Sequence, residues 1–276
     1  MAYRCFDVDI TEGVAHVRMN RPDELNTMVR EFWSELPEIV DGISAAGSAR
    51  VIVLSSTGKH FCAGMDLGVF AEPRHTDAEP GRRQAHTRSM VKLLQWTATC
   101  LEKARMPVLA AVQGGCIGGA VDLVTAADCR YATRDAFFVV QEISIGMTAD
   151  IGTLQRLGRV IPEGVARELA YTGRRMTAER AYEVGLIQAV YDDHDALVRG
   201  VLETAAEIAQ KSPLAVWGTK IAMNYARDHG VDDALDQIAT WQAGMFQPAD
   251  LMESFTAKAE KRPTAYTELL ADPTGL

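Results

Sequence analysis

The chain has 276 residues, 47% of them hydrophobic and 24% charged, with a formal net charge of -9 and a sequence pI of about 5.2. This is the composition of a globular protein with a generous core. The acidic balance, without a basic cluster, excludes an obvious nucleic-acid binder, and no apolar run approaches membrane-spanning length.

Residues 3–10 and 13–19 read as two short strands joined by Thr11-Glu12-Gly13, followed by a polar loop over residues 20–26. A helix is predicted over residues 28–46, because Val29, Phe32, Trp33, Leu36, Ile39, Val40 and Ile43 recur at the spacing of one buried face. Residues 50–55 and 108–112 are nearly continuous apolar strands, the mark of a sheet covered on both sides. Between them, residues 71–88 hold two prolines, a glycine and mixed charges, and read as a mobile loop. A helix over residues 89–104 leads back to the sheet. Strand and helix alternate, so the fold class is α/β. Beyond Val190 the pattern becomes helical, over residues 195–210, 213–227, 231–246 and 249–261. The expected layout is a strand-bearing part, residues 1–194, and a helical part, residues 195–276.

Three carboxylates carry the chemical signal. Asp122 follows the run Gly114-Gly115-Cys116-Ile117-Gly118-Gly119-Ala120-Val121, and Glu142 and Asp150 lie in Phe137-Phe138-Val139-Val140-Gln141-Glu142-Ile143-Ser144-Ile145-Gly146-Met147-Thr148-Ala149-Asp150. Carboxyl groups in apolar surroundings acquire shifted pKa values and serve as proton carriers. The glycine run is neither a Walker loop nor an in-register dinucleotide fingerprint, so a cradle for an oxyanion at the Gly119 N–H fits better than one for phosphate. The segment Ala63-Gly64-Met65-Asp66-Leu67 leaves a strand in the same way and offers a second donor. Each acid also has an ordinary structural explanation. Asp122 suits the first turn of a helix, Glu142 an exposed strand end, and Asp150 the N-cap of a helix through Thr153. His60, His75 and His86 read as solvated loop residues.

The five cysteines are widely spaced and show no zinc-binding pattern, so free thiols and no metal are expected. The first residues lack signal-peptide character and Thr274-Gly275-Leu276 is not a peroxisomal address, which leaves a cytoplasmic location as the expectation.

On the two loops, and on the surrounding sequence from Val14 onward, the chain resembles the crotonase (enoyl-CoA hydratase/isomerase) superfamily. Within it the stretches 114–131, 135–138, 150–157 and 225–229 are similar to the dienoyl-CoA isomerase branch. The resemblance implies a spiral of ββα units with a C-terminal helical region used in forming homotrimers or homohexamers. It implies an acyl-CoA thioester as substrate, coenzyme A entering as part of it, and no separate cofactor. By position, the N–H groups of Met65 and Gly119 would form the oxyanion hole. Ala63, Gly64, Met65, Asp66, Leu67 and Gly119 would contact substrate, and Asp122, Glu142 and Asp150 would be the catalytic acids. The implied reaction is conversion of a 3,5-dienoyl-CoA to a 2,4-dienoyl-CoA in fatty acid β-oxidation. Alternatives are hydration of a 2-enoyl-CoA, with Asp122 and Glu142 activating water, and a non-catalytic acyl-CoA- or RNA-binding relative.

Overall fold

The computed structural model describes residues 3–66, 68–69 and 79–273. Strands β1 (Phe6–Thr11) and β2 (Val14–Met19) form an antiparallel hairpin. Its two-residue turn, Glu12 and Gly13, lies at φ +50° and +79°, the handedness that matches the twist of the strands. β2 then pairs in parallel with β3 (Val51–Ser56), which pairs with β4 (Val108–Val112). β6 (Cys129–Thr133) and β9 (Ala189–Tyr191) complete a six-stranded sheet of order β1-β2-β3-β4-β6-β9. A smaller sheet has the order β5-β7-β8, from β5 (Gly115–Ile117), β7 (Phe137–Val139) and β8 (Met176–Thr177).

β3 and β4 are buried at every position, which explains their unbroken apolar sequence. Their side chains alternate between two cores. Ile52, Leu54, Val108, Ala110 and Val112 face the main core, which includes Phe32, Leu36, Ile39 and Ile43 of α1 (Phe32–Ala46). Val51, Val53, Leu109 and Ala111 face Leu197, Val201, Ala205 and Ala209 of the helix His194–Ala209, α7 in chain order. The first helix of the C-terminal part thus packs against the sheet itself.

The chain coils as ββα units. β3 is followed by Cys62, bridged in parallel to Cys116 of β5, and then by α2 (Pro80–Lys103). β4 and β5 lead into α3 (Gly119–Ala126), and β6 and β7 into α4 (Thr153–Val160). This is the expected crotonase-like α/β spiral with C-terminal helices. α5 (Glu163–Thr172) and the short α6 (Ala178–Glu183), which the sequence reading did not anticipate, precede β9. After α7 come α8 (Pro213–Asp228), α9 (Val231–Met245) and α10 (Pro248–Glu260). The buried Lys220 docks α8: its ammonium donates to the carbonyls of Leu101 and Met106 at 2.8 and 2.9 Å and pairs with Asp128 at 2.8 Å. No described helix is long and apolar enough to cross a membrane.

Two predicted elements are corrected. The first long helix begins at Phe32 rather than at residue 28, because Met28 is held in a parallel bridge to Met65. Pro37 within α1 removes the N–H that would reach Trp33 O, and Thr97 Oγ1 donates to that carbonyl at 3.2 Å instead. Of the loop expected over residues 71–88, residues 71–78 lie outside the described residues, and from Pro80 the chain is helical. Glu79 caps this helix by accepting from the N–H groups of Gly81 and Arg82, and Pro80 occupies the first turn, where its missing N–H costs nothing.

Candidate active site

The two small-residue loops leave the small sheet side by side. Cys62 N–H donates to Gly115 O and Ile117 N–H to Cys62 O, both at 3.1 Å, which fixes Cys62 against Cys116. Met65 and Gly119 each lie three residues beyond these bridged cysteines, at equivalent places on adjacent turns of the spiral. Met28 N–H donates to Gly64 O at 2.9 Å and accepts at its own carbonyl from Asp66 N–H at 3.1 Å. In a parallel bridge this alternation turns the N–H of Met65 away from Met28. Gly119 opens α3, where an N–H has no intrahelical acceptor. Among the described residues neither N–H has a protein partner.

Glycine is required at both approaches. Gly64 lies at φ +91°, and a Cβ there would stand 2.9 Å from Ile117 O. Gly118 lies at φ +55° and ψ -123°, and a Cβ there would stand 3.2 Å from Glu142 Oε1. Gly119 packs on the Met28 sulfur, 2.9 Å from where its Cβ would be. Asp66 folds onto its own loop, accepting from Thr27 Oγ1 at 3.2 Å and Gly68 N–H at 2.8 Å. Leu67 lies outside the described residues.

The structure brings Glu142 to the glycine loop, with Asp122 in the helix that leaves that loop and Asp150 near enough for its charge to act on Glu142. Glu142 opens a single 3-10 turn (Glu142–Ile145) closed by Gly146 at φ +75°, with Met147 N–H donating to Glu142 O at 2.9 Å. It is therefore not an exposed strand end. Its Oε2 is buried without a protein partner among the described residues. Burial raises its pKa and the charge of Asp150 raises it further. Asp150 is open to solvent, yet partial burial still raises its pKa. It does not cap the following helix, whose N-cap is Gly152. The capping function belongs to Asp122, in the first turn of α3, whose Oδ1 accepts from Thr153 N–H at 2.5 Å.

Asp122 is 1% exposed and its Oδ2 has no partner among the described residues. Burial pushes its pKa up to about 7, the charge of Glu142 adds to the rise, and Thr153 and Arg156 oppose it. A carboxyl raised this far favours the folded state when protonated. Its contribution to stability is full below about pH 4 and is lost as the pH rises through about 7. The denaturation midpoint of the wild type, taken relative to Asp122→Asn, is expected to fall across that interval. Parallel midpoints for the two proteins would show that the buried acid ionises as an exposed one does.

The sequence reading missed the partners of these acids. Gln95 of α2 donates to Asp150 O at 2.7 Å, and Thr153 N–H donates to Asp122 Oδ1. His60 is also corrected. It is half-buried, its Nδ1 accepts from Gly115 N–H at 2.9 Å, and its pKa is lowered by burial, so it anchors the glycine run. A polar residue preceding a glycine turn by so wide a sequence gap gives no local signal of such a contact.

The enoyl-CoA hydratase/isomerase family model matches residues 9–269. The mitochondrial Delta(3,5)-Delta(2,4)-dienoyl-CoA isomerase of Mus musculus is 44% identical over 256 residues, 91% of this chain and 78% of that protein. The peroxisomal Delta(3,5)-Delta(2,4)-dienoyl-CoA isomerase of Arabidopsis thaliana is 39% identical over 260 residues, covering 93% and 94%. Among solved structures, enoyl-CoA hydratase from Bacillus anthracis superposes with a TM-score of 0.86 at 30% identity, covering 95% of this chain and 99% of that one. The two isomerase relatives are mitochondrial and peroxisomal, which overturns the expectation of a cytoplasmic location. With a family match across nearly its whole length, two isomerase relatives and the same spiral fold, the chain belongs to the enoyl-CoA hydratase/isomerase (crotonase) family.

Proposed function

We propose that the protein isomerises a 3,5-dienoyl-CoA to the 2,4-dienoyl-CoA by moving a proton from C2 to C6. The observation that carries this reading is the order of the carboxylates. Glu142 Oε1 stands 3.2 Å from where a Cβ on Gly118 would be, Asp150 lies farther along the chain in the segment before α4, and Asp122 is withdrawn into the protein. The N–H groups of Met65 and Gly119 hold the thioester oxygen and stabilise the enolate, a contribution of roughly 2.7–4 kcal/mol per donor. C2 adjoins that thioester carbon, so Glu142 takes the C2 proton. Electron density moves along the conjugated chain, and the protonated Asp150 delivers a proton to C6. The enzyme is left with Glu142 protonated and Asp150 ionised, and exchange of each carboxyl with solvent, Asp150 being exposed and Glu142 partly so, resets the pair. Burial raises the pKa of both groups above the ordinary carboxylate value, the direction that strengthens a carboxylate as a base.

The shift is redox-neutral and balanced within the substrate, so coenzyme A enters as part of the substrate and no further cofactor takes part. Hydration of a 2-enoyl-CoA would ask Asp122 to activate water, but its side chain is buried and its Oδ1 already accepts from Thr153 N–H. The exposed Met223, Val231, Leu235, Met252 and Phe255 on α8, α9 and α10 support subunit contacts there, as in a trimer or pair of trimers. We assign the reaction to the oxidative breakdown of unsaturated acyl chains.

The test is an ultraviolet assay of the purified protein with a 3,5-dienoyl-CoA and, separately, a 2-enoyl-CoA. Growth of the conjugated 2,4-dienoyl absorbance is expected. Consumption of the 2-enoyl thioester without dienoyl turnover would make the protein a hydratase.

A further inference from the structure

Behind the proposed site, three helices meet in an ionic cluster that the reaction itself does not use. Glu102, near the end of α2, accepts from Arg156 Nε of α4 at 2.7 Å and from Arg227 Nη2 of α8 at 2.6 Å. The side chains of Arg156 and Glu102 are only 13% and 11% exposed. Arg156 Nη2 also donates to Thr99 Oγ1 at 3.0 Å. Arg159, one turn of α4 further on, donates to Arg227 O at 2.7 Å and pairs with Asp228. A cavity of about 350 Å³ lies beside this cluster. Burial pushes Glu102 upward, but the two guanidinium groups outweigh it and hold the carboxyl below its ordinary range.

The cluster bears on the segment that carries Asp150. Gly152 lies at φ +141°, and a Cβ there would stand 1.8 Å from Arg156 Nη1, so the guanidinium lies across the bare backbone of Gly152. On one side of Gly152, Asp150 O accepts from Gln95 of α2. On the other, Thr153 N–H donates to Asp122. Residues 150–153 are therefore clamped at three successive points. Two of the clamps, Gln95 and Arg156, are themselves fixed to α2. Arg227 extends the linkage into the C-terminal helices. The stretches 150–157 and 225–229, which stood out separately in the sequence, meet at this cluster.

We propose that Glu102, Arg156 and Arg227 form a positioning strut through which α8 and α2 hold residues 150–153, and with them Asp150 and Asp122, in the geometry needed for proton delivery. All three act through this segment, as positioning residues. The inference rests on the proposed isomerase reading, because it is the C6 proton transfer that a displaced segment would slow. Arg156 acts by shape as well as charge. Its planar fork bonds Glu102 and Thr99 together while lying flat on Gly152, and a lysine ammonium cannot do all three.

The test compares wild type with Glu102→Gln, Arg156→Lys and Arg227→Gln by steady-state kinetics on a 3,5-dienoyl-CoA and by amide hydrogen exchange. In the Arg156→Lys and Glu102→Gln proteins kcat is expected to fall by about tenfold or more with KM little changed, since a small misplacement of a reacting group has effects of that order. The Thr153 amide, bonded to Asp122, is expected to exchange faster while amides of β3 and β4 keep wild-type protection. Arg227→Gln removes one arm from a side chain 30% exposed and should give a smaller change of the same kind, which keeps the test open if Glu102→Gln fails to fold. Unchanged Thr153 exchange, exchange that rises equally across the core, or wild-type kcat in Arg156→Lys would overturn the strut. If the wild type itself does not turn over the dienoyl substrate, the isomerase reading fails and the exchange pattern alone judges the strut.

Discussion

Asp150→Asn is expected to lower dienoyl isomerisation by about 10²–10⁴-fold, the worth of a positioned acid or base. The substitution keeps size and polarity at a side chain open to solvent, so folding and thermal stability should be retained. The informative readout is exchange at C2. Glu142 and the two N–H donors remain, so deuterium from solvent should still enter C2 of the 3,5-dienoyl thioester while delivery to C6 stalls. Glu142→Gln should abolish both. This pair of variants separates the two roles in a way that turnover alone does not. Near wild-type isomerisation by Asp150→Asn would remove Asp150 from the mechanism. Loss of C2 exchange in Asp150→Asn with retention in Glu142→Gln would reverse the assignments.

Gly118→Ala should injure catalysis and stability together. At φ +55° and ψ -123° the residue occupies a region that side chains avoid, and forcing alanine there costs about 1–3 kcal/mol. The added Cβ would also press on Glu142 Oε1 from 3.2 Å. Relief of that contact moves either the carboxylate or the peptide that presents the Gly119 N–H. Losing the donor alone is worth about 10²–10³ in kcat. The expected protein melts several degrees lower and turns over at least about a hundredfold more slowly. Alanine accepted here with full activity would mean that neither Glu142 nor the Gly118–Gly119 peptide is part of the reacting geometry.

What the sequence made legible was what depends on local pattern. The apolar runs of β3 and β4 announce a sheet buried on both faces, and the periodicity of α1 and the C-terminal helices announces their buried sides. The start of α2 was hidden because its first turns are exposed and charged. The apolar stripe that reveals other helices is missing there, since residues 80–86 are all exposed. Its signal was the Glu79-Pro80 cap, read instead as loop punctuation. The three acids were found by their apolar settings. Their division of labour was not, because it is decided across the spiral. Asp122 reaches an N–H 31 residues away, while Asp150, the acid next to that helix in sequence, leaves it uncapped. Nor does any local pattern connect Glu102 with Arg156 and Arg227, which lie on three helices.

The β-bridge between Cys62 and Cys116 has a bearing on how the two proposed donors are spaced. Neighbouring strands keep a spacing of about 4.8 Å whatever side chains they carry. The two proposed donors are stepped off from this bridge by equal lengths of chain, so their separation is measured by a backbone ruler. The side chain of residue 65 takes no part in that measurement. Its bulk can change within what the main core around it accepts, while the proposed donor N–H keeps station.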